Sequence, residues 1–469
     1  MSHRTLRATA LASAIAALPF AVQAADDPSL AQIREEIRLL KENYEARIRA
    51  LESRLADAEA NRATAPAAPV AQATATSPAM PASRAALPGP IASNAKNAFN
   101  PDISVILGGT YQRLSQDPGQ YRLQGFMPMG DEAGPGKRSF NLGESELVLS
   151  ANIDPTFSGK LIVALGADNQ ASVEEAFFTT SKIGHGFNLK GGRFLSSLGY
   201  LNKQHPHAWD FADSPLVYQA MFGGQYRPDG VQLTWLAPTD RLVEIGVEAS
   251  DGAAAPGNDR NRNAVGAVTA FAHVGDDLGD SASWRTGVSY LHTGAKDRSF
   301  SDTASSELIN AFTGRSNLWA IDGVFKWAPN GNATRTSLTL QGEYFWRQET
   351  GSLTQAENPA LGYRGNQSGG YIQGIYKFMP QWRVGLRHDQ LNSGTARLNF
   401  TGSALSMSDF PLLDAYKPKR STVMLDYSPS EFSRLRLQFA EDQSRREVRD
   451  YQVMLQYIMS LGAHGAHTY

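Results

Sequence analysis

Gln452-Val453-Met454-Leu455-Gln456-Tyr457-Ile458-Met459-Ser460-Leu461 puts Val453, Leu455, Tyr457, Met459 and Leu461 on one face of an extended chain and Gln452, Gln456 and Ser460 on the other. Successive side chains of a strand point to opposite faces, so this segment reads as a half-buried strand. The same alternation recurs about sixteen times from about residue 100 onward, and the chain closes on the aromatic Tyr469. A soluble sheet shares the alternation. Links that are alternately short and long along the whole run instead mark an all-β, antiparallel transmembrane β-barrel.

The alternation predicts strands over 103–114, 140–153, 158–167, 172–181, 187–195, 230–237, 242–250, 264–274, 283–293, 318–328, 336–348, 369–378, 382–391, 420–428, 434–442 and 448–462. An even count lets a closed barrel keep both chain ends on one side, and eighteen strands remain an alternative. Links such as Asp154-Pro155-Thr156-Phe157, Ala237-Pro238-Thr239-Asp240 and Pro329-Asn330-Gly331-Asn332 are short, whereas 115–139, 196–229, 294–317, 349–368 and 392–419 are long. Short turns belong to the periplasmic side and long loops to the outside. Trp235, Trp284, Trp327, Trp382 and Tyr427 then fall at periplasmic strand ends and Trp319 and Trp346 at outer ends, where aromatic girdles form.

The N-terminus adds three segments. Arg4, Arg7, an apolar stretch over about 8–22 and Val22-Gln23-Ala24 read as a signal peptide over 1–24. In 25–60, Ile37, Leu40 and Tyr44 are repeated by Ile48, Leu51 and Leu55 at an offset of eleven, the spacing of a nearly straight or slightly right-handed coiled coil. Residues 61–100, rich in Ala, Pro, Ser and Thr, read as a linker to a barrel over 101–469. Cysteine is absent, which excludes disulfides and thiolate metal sites, and a net charge of −2 gives no case for nucleic acid. The mean hydropathy of −0.34 suits a barrel, because half of each spanning strand faces water.

With the apolar face outward, Arg383, Arg387 and Asp389 on one strand and Arg434, Arg436 and Gln438 on another point inward as a basic wall. Glu144, Glu146, Glu244, Glu248 and Glu343 supply the opposite sign, so the lumen is zwitterionic. These charges either pair to stiffen the barrel or guide solute. The loop of about 34 residues over 196–229 carries Leu201, Trp209 and Phe211 of its own, which predicts that it folds into the lumen. There it would narrow the pore through Lys203, His205, His207, Asp210 and Asp213.

Leu189-Lys190-Gly191-Gly192-Arg193-Phe194, the long loop after it, Arg227-Pro228-Asp229-Gly230-Val231-Gln232-Leu233 and Glu174-Glu175-Ala176-Phe177-Phe178 resemble the phosphate-selective porin O/P family and its relatives. That resemblance implies a sixteen-stranded trimeric outer-membrane channel with an inward-folded third loop, in some relatives preceded by a coiled-coil helix. Phosphate selectivity needs a ladder of lysine and arginine, and the balanced lumen here does not carry it over.

Other function classes have less behind them. No histidine is placed beside a Ser or Asp by a recognisable motif, so no enzyme is expected. A receptor plug ahead of the barrel is missing. His205, His207 and Asp210, or His464 and His467, are plausible Zn²⁺ ligands by type, but the two sets need not meet, so no metal or other cofactor is assigned. The reading is a homotrimeric porin in the outer membrane of a Gram-negative bacterium, with its N-terminal segment periplasmic, its partners lipid and small hydrophilic solutes, and peptidoglycan a further candidate. The alternative is a barrel that tethers the cell wall or handles a metal or specific ligand.

Overall fold

The computed structural model describes residues 101–462 apart from 131–132, 167–169, 259–262 and 303–307. The segments expected as signal peptide, coiled coil and linker, together with His464, His467 and Tyr469, lie outside the described residues. Barrel strands run over Asp102–Leu114 (β1), Ser139–Leu142 continued by Ser145–Asn152 (β2), Ser158–Leu165 (β3), Ala171–Gly184 (β4), Phe187–Arg193 (β5), Asp229–Leu236 (β6), Leu242–Ser250 (β7) and Ala267–Leu278 (β8). They continue over Ala282–Ser301 (β9), Ile309–Trp327 (β10), Ser337–Gln355 (β11), Leu361–Met379 (β12), Trp382–Asn392 (β13), Lys419–Ser430 (β14), Ser433–Gln443 (β15) and Asp450–Gly462 (β16). Every strand pairs antiparallel with the next, and β16 returns to β1 from Ser104↔Gly462 to Leu114↔Gln452. The barrel is therefore closed with sixteen strands, a further three-residue strand, Arg397–Asn399, joining the outer end of β12.

Closure leaves no sheet edge, and the apolar side chains point outward. Ile372 and Leu386 are 66% and 64% exposed, and Ile245, Val247, Leu437 and Leu455 share that outer face, which is stable only against lipid or detergent. Trp319 pairs in register with Trp346 on one rim, and Trp382 packs at a tilt against Tyr427 with ring centroids 4.7 Å apart on the other. From Trp319 to Trp327 is about 27 Å of strand, or about 20 Å of height at the usual tilt, close to the apolar band of such barrels.

Two of the expected long loops are mostly strand. Residues 294–301, 309–317, 349–355 and 361–368 extend β9 to β12 beyond the outer girdle. There the polarity inverts: Phe312, Leu353, Leu361 and Tyr363 turn inward onto Phe410, Leu412 and Leu413, while Thr313, Arg315, Thr350 and Arg364 face out. Water rather than lipid lies outside at that height, so the apolar residues pack inward.

Two bulges position inward carboxylates. In β2, Phe140 and Leu142 face out on even positions and Leu147 on an odd one, the extra residue falling at Gly143-Glu144. A Cβ on Gly108 would lie 2.7 Å from the Glu144 carbonyl oxygen, so the bulge needs glycine beside it. In β4 the register jumps from Val163↔Val173 to Ile162↔Glu175, and the extra residue is Glu174. A bulge re-aims the side chains it carries, and both Glu174 and Glu175 are buried on the lumen side.

Candidate functional site in the lumen

After β5 the chain leaves the wall at Phe194 and returns at Asp229, and the segment between crosses the lumen. Its one α-helix, Leu216–Phe222 (α1), is buried at all seven residues and ends at Gly223, whose φ of 69° is the left-handed value glycine adopts freely. Leu198, Leu201, Trp209, Leu216, Val217, Tyr218, Met221, Phe222 and Tyr226 pack on an apolar patch of the inner wall formed by Leu291, Leu318, Ala320, Phe345, Tyr371 and Leu391. Phe345 meets Tyr218 and Phe222 edge-on at 5.4 and 5.9 Å. Phe211 is seated on Ile375 and Met424, with the Arg387 guanidinium 4.6 Å above its ring.

Carboxylates of the wall take up the loop's own donors. Glu343 accepts from the backbone N–H groups of Tyr200 (3.0 Å) and Leu201 (2.9 Å) and from the Tyr218 hydroxyl (2.9 Å). Glu248 accepts from the Ser196 hydroxyl at 2.7 Å and the Ser197 N–H at 3.1 Å. Loops rarely run through an interior because their backbone groups go unpaired; here the wall pairs them.

The arginines are compensated through the same loop. Arg383 donates to Asp210 at 2.9 Å and also to Asp426. Arg387 binds Asp213 at 2.9 Å and Asp389 at 3.0 Å, and Arg420 binds Asp213 at 2.7 Å. Burial works against an Asp213 carboxylate, but Arg420 and Arg387 outweigh it and hold its pKa below the ordinary 3.8. Arg436 bonds Asp426 at 2.8 Å and donates to the Trp209 carbonyl at 2.9 Å, and Arg434 donates to the His207 carbonyl.

Further round the wall, at β2 and β4, His205 lies between Glu174 (Nδ1–Oε2 3.2 Å) and Glu175 (Nε2–Oε2 3.0 Å), and His207 Nδ1 is 2.7 Å from Glu146. Arg227 holds the other oxygen of Glu174 at 3.0 Å. Thus His205, His207, Asp210 and Asp213 all touch the wall. Lys203 is exposed, Glu144 sits half-buried at the β2 bulge, and Glu244 pairs at 2.8 Å with His273. Sequence reasoning left out Arg420 and Asp426, although both alternate inward with Thr422 and Met424. It also left the apolar inner patch unread, because Leu291, Leu318 and Phe345 look like ordinary strand residues until the loop lies on them.

No protein-family profile matches the chain. A protein of Aquifex aeolicus (strain VF5), itself described as uncharacterized, is 31% identical over 408 residues, covering 80% of this chain and 81% of that one. Among solved structures, the loop L8 deletion mutant of OmpT, an outer membrane protein of Vibrio cholerae, aligns with a TM-score of 0.48 at 11% identity over 78% of this chain and 100% of its own. The outer membrane channel DcaP of Acinetobacter baumannii gives 0.46 at 12% over 77% and 97%, and Pseudomonas putida OprB 0.46 at 10% over 78% and 95%.

Proposed function

We propose that this chain, which belongs to one family with the Aquifex aeolicus protein, is an outer-membrane porin through which small hydrophilic or charged solutes diffuse passively. The observation that carries this reading is the two-sidedness of the lumen loop. Its apolar side chains are spent on the wall, while part of its charged side keeps contact with water: Lys203 is exposed, and Asp210 and its wall partner Arg383 retain 23% and 25% of their side-chain surface. A loop so placed narrows the lumen without lining it with hydrocarbon, and fixed charges of both signs set which ions pass. Lys203 and Asp210, beside Arg383, form the water-facing part of the filter, and His205, His207, Asp213, Arg387, Arg434, Arg436, Glu146, Glu244 and Glu248, paired between loop and wall, set the field behind it. The reaction class is transport without bond chemistry, and the assembly is a homotrimer.

Purified protein in a planar bilayer under a salt gradient tests this. Stepwise openings in threes with a defined reversal potential are the expected result. A silent bilayer, with insertion confirmed independently, rejects the open porin in favour of a tether or ligand-binding barrel.

A further inference from the structure

The contacts around His205 have an order that simple charge pairing does not require. Glu146, Glu174 and His205 each offer one ligand atom, and these three atoms lie within 4.8 Å of one another. His205 Nδ1 is 3.2 Å from the Glu174 oxygen and 3.7 Å from the Glu146 oxygen. Two donors each about 2.1 Å from one ion stand about 3.0–3.4 Å apart, so the His205–Glu174 spacing is that of a shared metal and the His205–Glu146 spacing is a few tenths of an ångström wider.

The remaining atom of each residue is fixed by a separate partner. Glu146 Oε1 is held by His207 at 2.7 Å, Glu174 Oε1 by Arg227 at 3.0 Å, and His205 Nε2 by Glu175 at 3.0 Å, while Glu175 Oε1 in turn accepts from the Leu195 N–H at 2.9 Å. A carboxylate behind the far nitrogen of a histidine directs the near nitrogen's lone pair to a metal and raises its basicity. An independent sign comes from Glu146. Its side chain is 0% exposed, yet Oε2 accepts no hydrogen bond and points into the cluster. A buried carboxylate oxygen left so costs free energy unless something else satisfies it.

We propose that Glu146, Glu174 and His205 bind a divalent transition-metal ion of the zinc class, tying the lumen loop to β2 and β4. One imidazole and two carboxylates suit such an ion, and its remaining positions open to the lumen past His205 and His207, whose side chains are 12% and 14% exposed. The site does not depend on the channel reading, because binding is measured on detergent-solubilised protein.

Full-length protein stripped with a chelator and titrated with Zn²⁺ against a chromophoric competitor should take up one tightly held ion per chain. Glu146→Gln, Glu174→Gln and His205→Ala should each weaken it at least about 10-fold, and Glu175→Gln, a positioning change, about 10–100-fold. His464→Ala with His467→Ala should leave it unchanged. No saturable uptake, or uptake lost with the tail histidines and kept in the three site variants, overturns the proposal. Should those variants fail the heat-modifiability test of a folded barrel, zinc-edge absorption on the unaltered protein decides. One imidazole in an otherwise oxygen shell supports the site; no imidazole, or more than one, refutes it.

Discussion

Asp213→Asn removes a single negative charge from between two arginines. Arg387 and Arg420 are each 1% exposed and reach Asp213 at 2.9 and 2.7 Å, with Asp389 near both at 3.0 and 3.6 Å and Asp442 4.0 Å from Arg420. Breaking a buried pair from one side costs about 3–5 kcal/mol, because the partner charge stays buried. The folded barrel should therefore lose about that much against urea. The lumen also gains one net positive charge. At 8 Å through water a unit charge is worth about 0.5 kcal/mol, a factor of about 2 in the occupancy of a permeant ion, upward for anions and downward for cations. In a planar bilayer with a salt gradient, the reversal potential should move toward anion selectivity. A variant that stays heat-modifiable with both its urea midpoint and its reversal potential unchanged would refute the view that Asp213 neutralises this wall.

Further outcomes follow from the same geometry. Lys203→Ala should shift selectivity toward cations and Asp210→Ala toward anions; equal permeability ratios in all three proteins would remove both from the filter. Leu216→Ala in α1 should cost about 2–5 kcal/mol, visible as faster hydrogen exchange over 194–228, and unchanged exchange there would mean that the apolar patch does not hold the loop. Asp213 titrates lower in the folded state than its ordinary 3.8, so its contribution is complete above that value and is lost as the pH falls through the depressed one. Loop protection should thus persist at pH 4 and fail only in stronger acid; loss already at pH 5–6 would contradict the assignment. Leu386→Arg, on the lipid face, should destabilise the protein in vesicles by about 2–4 kcal/mol if it sits near the bilayer midplane, and a neutral result would place Leu386 away from lipid.

The alternation from β1 to β16 is a local property, because the face a strand residue takes depends only on its parity and on the solvent of each face. Where lipid lies outside and water inside, that parity is written in the sequence, and all sixteen strands are legible from it. It loses its meaning where the outer solvent changes. Above the girdle, Phe312 and Leu353 turn inward for the same reason that Ile372 and Leu386 turn outward, and reading one rule along the chain stops β9 to β12 short. Composition likewise shows that the loop with Leu201, Trp209 and Phe211 cannot stay in water. What it touches is decided elsewhere. Glu174 and Glu175 are neighbours in sequence and would face opposite ways in a regular strand; the β4 bulge brings both to His205. Asp213 meets Arg387 and Arg420 across 174 and more residues of chain. The barrel, its two faces and the inward course of the loop are readable from the order of residues, because solvent periodicity acts residue by residue. The partner of each charge emerges with the folded barrel, because register, bulges and the path of one loop through the lumen are set by all the strands together.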